Sequence, residues 1–204
     1  MVAKFSNLKA IVAATSLTVL FSVPLQGHAQ EVQGEADLLA ALSDADPQEA
    51  IGLDRSLQAL WNSSGSPAMD LLLKRGKDAL DRGDTRIAIE HLTALTDHAP
   101  EFAMGWYERA RAYFTAGLYG PAVADLEQTL MLNPNDYNAI FALGAMFEQF
   151  NDPQNAYEAY KRAQAIHPHH EAITSALDRL KTEVEGKELL GGQLSSVRAL
   201  RAIS

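Results

Sequence analysis

Three prolines constrain this chain more than any other feature: Pro100, Pro134 and Pro168 stand 34 residues apart. Other positions fall into register on the same period. Gly76, Ala110 and Gly144 coincide, as do Ala88, Ala122 and Ala156, then Leu92, Leu126 and Tyr160, and finally Gly83, Gly117 and Asn151. Five coincidences on one period mark an internal repeat, each unit of which can bury its apolar face only by stacking on its neighbours. Apolar residues recur inside each unit at helical spacing. They predict helix pairs over 68–82 and 85–98, 102–116 and 119–132, and 136–150 and 153–166. Gly76 and Ala88 are small where paired helices must approach, and a larger side chain there would overpack at about 1–3 kcal/mol. Gly83, Gly117 and Asn151 are types that accept a left-handed backbone just past a helix end. Each proline follows a second helix, where it stops the helix without breaking it. Asn135 and Asp136 are candidate caps for the next helix; the matching stretch before residue 102 offers only Glu101, which suits the positive end of a helix dipole.

The middle unit reads Trp106, Ala110, Tyr113, Ala122, Leu126 and Pro134; the third reads Ile140, Leu143-Gly144, Phe147, Ala156, Tyr160 and Pro168. The first unit is the most divergent, with Leu72, Gly76, Ala79, Ala88, Leu92 and Pro100. This order of aromatic, Leu-Gly, Tyr, Ala, aromatic and closing Pro resembles the tetratricopeptide repeat family over residues 69–170. The resemblance implies an all-α fold, a right-handed α-solenoid of three helix pairs (about 69–102, 103–136 and 137–170) within a domain spanning 68–186. It also implies that the first helix of each pair lines a concave groove.

A stack of helix pairs needs closing elements at its ends. Residues 170–185 carry Ile173, Ala176, Leu177 and Leu180 on one side and Asp178, Arg179, Lys181 and Glu183 on the other, the pattern of a solvating end helix. Ahead of the repeats, 34–45 and 48–62 read as two helices of a divergent N-terminal cap within residues 30–67, joined to the repeats at Gly65-Ser66-Pro67. Residues 187–204 bring Val197, Leu200 and Ile203 opposite Arg198 and Arg201 after a Gly191-Gly192 pair; they either dock as a short helix or stay mobile, the mobile form being favoured. Residues 1–29 have the form of a secretory signal peptide. Lys4 and Lys9 precede an uncharged run from Ala10 to Val23, Pro24 breaks it, and Gly27-His28-Ala29 offers a cleavage point after Ala29. The run is shorter than the roughly 20 residues that span a bilayer. Cleavage would move the formal charge from −9 to −11 by removing Lys4 and Lys9, and the expected compartment is the bacterial periplasm.

Composition narrows the chemistry. The chain has no cysteine, which removes disulfides, thiolate metal sites and cysteine nucleophiles. Its acidic balance argues against nucleic acid, whose binding runs on clustered Lys and Arg. No phosphate loop or Gly-x-Ser-x-Gly pattern is present. Six histidines invite a metal reading, but His91 and His98 are seven apart and His167, His169 and His170 surround Pro168 in an inter-helix turn expected to be exposed. They are read as solvated or loosely packed, with no cofactor or metal expected. Trp106, Tyr113, Phe147 and Tyr160 fall on the period and are expected in helix–helix contacts.

What remains is the groove that the resemblance implies. Counting turns along the first helices places Asp70, Leu73 and Lys77 there from the first unit, Met104, Tyr107, Arg111 and Phe114 from the second, and Asn138, Phe141, Ala145 and Glu148 from the third. Lys77 and Arg111 are one period apart, as are Tyr107 and Phe141, so like side chains stand beside one another. Aromatics beside cations suit an extended peptide with apolar side chains and an acidic group. Some members of the family grip a terminal carboxylate with a ladder of polar donors; here Leu73, Tyr107 and Phe141 occupy such faces, a departure that speaks against that clamp. The expected function is a non-enzymatic, exported module that binds a peptide or protein in its groove. The alternative is a structural protein acting as a homo-oligomer.

Overall fold

The computed structural model describes residues 25–184 and 186, with side chains from residue 34 onward. Helices α1 (Leu25–Asp44) and α2 (Pro47–Trp61) precede three pairs: α3 (Pro67–Asp81) with α4 (Thr85–His98), α5 (Ala103–Thr115) with α6 (Tyr119–Leu132), and α7 (Tyr137–Gln149) with α8 (Pro153–Ile166). A ninth helix, α9, runs over 171–184, and there is no strand among the described residues. Within a pair the two helices lie against each other, and successive pairs stack through α4 on α5 and α6 on α7. The described part of the chain is an α-solenoid of three helix pairs with helices added at both ends.

The small residues of the repeat do what close approach demands. A Cβ built on Gly76 would lie 2.5 Å from Cγ of Leu92, and one on Gly144 would strike the ring of Tyr160; Leu92 and Tyr160 are themselves in register and fully buried. Ala110, the residue in register between those glycines, is 2% exposed. The turns inside the pairs carry positive φ at Gly83 (79°), Gly117 (73°) and Asn151 (59°), the left-handed positions the sequence predicts. Asp136 caps α7, its Oδ1 accepting from the backbone N of Asn138 and Ala139 at 3.0 and 3.1 Å. Asn135 does not cap; its own backbone N donates to Asn133 Oδ1.

The N-terminal helices are the main departure in placement. They form a hairpin opened by a capping box at Asp46, whose carboxylate accepts from Gln48 and Glu49 N. That hairpin does not extend the stack in front of α3. It crosses the loops that link one pair to the next: α1 lies against α8, and His169 Nε2 donates to the Ala45 carbonyl across 2.9 Å. Trp61 meets Tyr137 with ring centroids 5.5 Å apart. Leu42, Leu57 and Trp61 of the hairpin belong to one buried cluster with Leu73, Met104, Tyr137 and Ile140 of the repeats. The register that fixes the repeats is missing from residues 34–62, so side-chain complementarity alone sets where this hairpin lies. Burying a large apolar side chain is worth about 1.5–3 kcal/mol, and Leu57 and Trp61 provide that at the joint.

At the other end, Ile173, Ala176, Leu177 and Leu180 of α9 are buried while Asp178, Arg179, Lys181 and Glu183 are exposed, as expected of a solvating helix. The expected signal peptide lies outside the described residues up to residue 24; from Leu25 the chain is helical, so the expected cleavage point after Ala29 falls inside α1. The tail 187–204 lies outside the described residues.

Candidate functional site

The first helices of the pairs expose one apolar hollow between them. Tyr107, Arg111 and Phe114 follow one another on α5 at spacings of four and three, so they form a single stripe. Phe141 and Ala145 form the facing stripe on α7. Between the stripes Ala110, Ala122 and Ala142 are too short to meet, and with Leu126 and Met146 they floor a cleft of about 260 Å³. Phe114 at its mouth is 41% exposed. Tyr107 is mostly buried, and desolvation, followed by the nearby Asp136 and Glu108 carboxylates, pushes its hydroxyl above the ordinary tyrosine range; it stays neutral as a hydrogen-bonding group.

The electrostatics differ from the simple expectation of two free cations. Lys77 and Arg111 do converge, but on Glu108, which is 2% exposed. Arg111 Nη1 is 2.5 Å from Glu108 Oε2 and Lys77 Nζ is 3.6 Å from Oε1; Lys77 also donates to Asn62 Oδ1 of the linker after α2 at 2.9 Å. The two cations are therefore already compensated within the protein. An incoming carboxylate would have to compete with this buried partner. Glu108 carried no periodic signal. The clue was indirect: two cations one period apart on a shared face call for a counter-ion nearby.

Of the other groove candidates, several have different duties. Leu73 and Met104 are each 3% exposed, covered by the N-terminal hairpin. Asp70 accepts from the backbone N and hydroxyl of Ser64 at 2.8 and 2.6 Å, fixing the linker. Asn138 is half-buried at the start of α7, away from the cleft. Glu148 is bound by Arg179 of α9 and accepts from the Tyr160 hydroxyl at 2.6 Å; the arginine holds its carboxyl below the usual range. Trp106, expected in the core, is half-buried under the Arg109 guanidinium, which sits 4.7 Å from its ring centroid. Arg109 in turn grips Asp125 at 2.7 and 2.9 Å and Thr96 at 2.7 Å, a partly buried network joining α4, α5 and α6.

The histidine expectation needs correcting. His167 is only 5% exposed, edge-on to Tyr137 at 5.0 Å and to His170 at 5.2 Å. Burial pushes the pKa of both imidazoles down. His167 and His170 are covered because the hairpin rests against them: Asp54 accepts from the neighbouring Tyr137 hydroxyl and Gln58 Nε2 donates to it at 2.8 Å, while His169 is exposed, as expected. Among the described residues, no group of three or more His, Asp or Glu side chains is arranged to hold a metal ion, and no helix is long and apolar enough to cross a membrane.

Stacked helix pairs with small residues at their crossings and an open cleft on the first helices define the class, a helical-repeat solenoid. The tetratricopeptide repeat model matches residues 73–120 and 116–171. A TPR repeat-containing protein of Rhizobium etli is 24% identical over 143 residues, 70% of each chain. The Sgt2 TPR domain from Aspergillus fumigatus superposes with a TM-score of 0.56 at 26% identity, covering 60% of this chain and 83% of that one. The first TPR of Spaghetti (RPAP3), solved with an HSP90 peptide, gives 0.55 at 22% identity over 57% of this chain and 93% of its own. This chain belongs to the tetratricopeptide repeat family.

Proposed function

We propose that this chain is a non-enzymatic protein-interaction module that seats an apolar side chain of a peptide or protein partner in the α5–α7 cleft. The observation that carries the reading is the cleft itself, about 260 Å³, apolar on its floor and open at Phe114. A solved structure of the same fold, the first TPR of Spaghetti (RPAP3), holds an HSP90 peptide, which supports a peptide as the class of ligand. Engagement of Lys77 and Arg111 by Glu108 points away from a carboxylate grip and towards an aliphatic or aromatic anchor. The pattern of residues 1–29 supports export to the periplasm; cleavage after Ala29 would leave α1 beginning at Gln30, with Glu35, Leu38, Leu39 and Leu42 retained.

Ala145→Arg tests the reading, because it fills the cleft from a half-exposed position. Crosslinking pull-down from native envelope with the mature chain should capture a partner, and Ala145→Arg should lose it while far-ultraviolet circular dichroism stays unchanged. Equal capture by the plugged variant removes the cleft from the function. A second reading, self-association through the second helices, rests on Met131 of α6, 76% exposed; a monomer mass by light scattering that does not change with concentration discards it.

A further inference from the structure

The cleft does not end at Phe114. Phe114 leads to Tyr119 at a centroid distance of 5.6 Å, and Tyr119 to Phe150 at 5.9 Å. Phe150 is 54% exposed and Leu118 beside Tyr119 is 47% exposed. Together they make an aromatic edge at the turns inside the second and third pairs, continuous with the cleft. Exposed aromatic and aliphatic side chains joined into one edge mark an interaction surface.

The course of the chain brings one occupant to this edge. Arg179 of α9 binds Glu148 of α7, one turn beyond Ala145 in the cleft wall, so this turn of α9 lies beside the last turn of α7. Packed helices lie about 8–10 Å apart, which puts the cleft roughly 20 Å from the end of α9. The 11 residues 187–197 reach about 36 Å when extended, more than that distance. Residues 187–204 offer Val197, Leu200 and Ile203 at spacings of three. They carry a net charge of +2, from Lys187, Arg198 and Arg201 against Glu188, whereas residues 30–186 carry 12 basic and 25 acidic side chains. Acidic Asp152, the cap of α8, stands in the turn of the third pair two residues after Phe150.

We propose that the segment 187–204 of the same chain docks on the Phe114–Tyr119–Phe150 edge and inserts Val197 and Leu200 into the α5–α7 cleft, acting as an internal ligand that an external partner must displace. This assignment rests on the cleft reading of the preceding section. The absence of cysteine makes the test clean. In the full chain, Thr115→Cys at the cleft is combined with Ser196→Cys and oxidised at micromolar protein, and the products are mapped by mass spectrometry. The expected result is an intramolecular disulfide whose yield falls at least fivefold when Val197→Asp and Leu200→Asp are added. Equal yields in the two tails overturn the proposal. Predominant disulfide-linked dimers also overturn it, in favour of a tail reaching into a neighbouring copy. Partner capture, measured in parallel, separates the two ideas. Loss of capture on Ala145→Arg without the tail disulfide keeps the cleft function and removes the internal ligand. A tail-dependent disulfide with capture indifferent to Ala145→Arg keeps the tail contact and removes the partner reading.

Discussion

Trp61 of the N-terminal hairpin and Tyr137 of the third pair meet with ring centroids 5.5 Å apart, while the Trp61 indole donates to Glu35 at 2.8 Å and the Tyr137 hydroxyl is shared with Asp54 and Gln58. This contact holds the N-terminal hairpin on the repeats. Trp61→Ala removes a 9%-exposed anchor and should cost about 3–5 kcal/mol. Unfolding in urea measures the loss, and limited proteolysis should shift to the Ser63–Ser66 linker. Tyr137→Phe keeps the ring but strands Asp54 and Gln58, with an expected cost of about 1–3 kcal/mol.

The glycines of the repeat differ in how much space they leave. A Cβ at Gly144 collides with the rigid Tyr160 ring, whereas one at Gly105 lies 3.1 Å from the more adaptable Leu95 side chain. Gly144→Ala should therefore lower stability by about 1–3 kcal/mol or more. Gly105→Ala should cost distinctly less, because alanine also favours the helix by about 1 kcal/mol over glycine. Thermal unfolding of the two variants side by side checks the order; the reverse order contradicts the packing described.

Glu108 decides whether the groove attracts acids. Glu108→Gln frees Lys77 and Arg111, whose side chains are 38% and 45% exposed. An acidic peptide should then bind about tenfold tighter, a change of roughly 1.4 kcal/mol, and the gain should fade with salt. Fluorescence anisotropy at low and high ionic strength reads both effects. Unchanged affinity would mean that Glu108 does not hold the cations back.

Acid and base act on this fold in opposite directions. Burial pushes the Asp136 carboxyl up to about 6, against the two backbone hydrogen bonds that lower it, with Glu108 and Glu35 adding repulsion. A raised carboxyl favours the folded state when protonated, so its contribution is present below the unfolded value of 3.8 and is lost as pH rises through about 6. Asp136→Asn keeps a capping side chain and should stabilise the protein at pH 8 by on the order of 3 kcal/mol, with little gain near pH 4. His167 and His170 are shifted down by burial, partly offset by Asp54. Their contribution is present above the unfolded value of 6.5 and is lost as pH falls below it. Thermal midpoints of Asp136→Asn from pH 8 to pH 5 should therefore fall on acidification.

The repeats were legible because each of their constraints recurs. The six helices of the pairs begin and end within about one residue of the expected positions, and Gly83, Gly117 and Asn151 adopt the left-handed turns that their side chains suggested. Tyr107, Arg111, Phe114, Phe141 and Ala145 lie around one cleft, since helical spacing fixes the direction of a side chain. What was not legible has no period. Hairpin placement depends on single long-range contacts such as Gln58 with Tyr137. The buried state of His167 follows from that placement, as does the removal of Leu73 and Met104 from the groove. Glu108 was hidden for another reason: a lone acid on an amphipathic helix looks solvent-facing until its two partners are seen on the same side.

The N-terminal hairpin that joins Ala45 to His169 and Trp61 to Tyr137 changes how this solenoid should come apart. An open array of repeats frays from its ends, since each unit knows only its neighbours. Here the front of the chain is fastened beside its last pair like a strap across a bow, and fraying at either end must first undo the buckle, so the whole curve should yield in a single event.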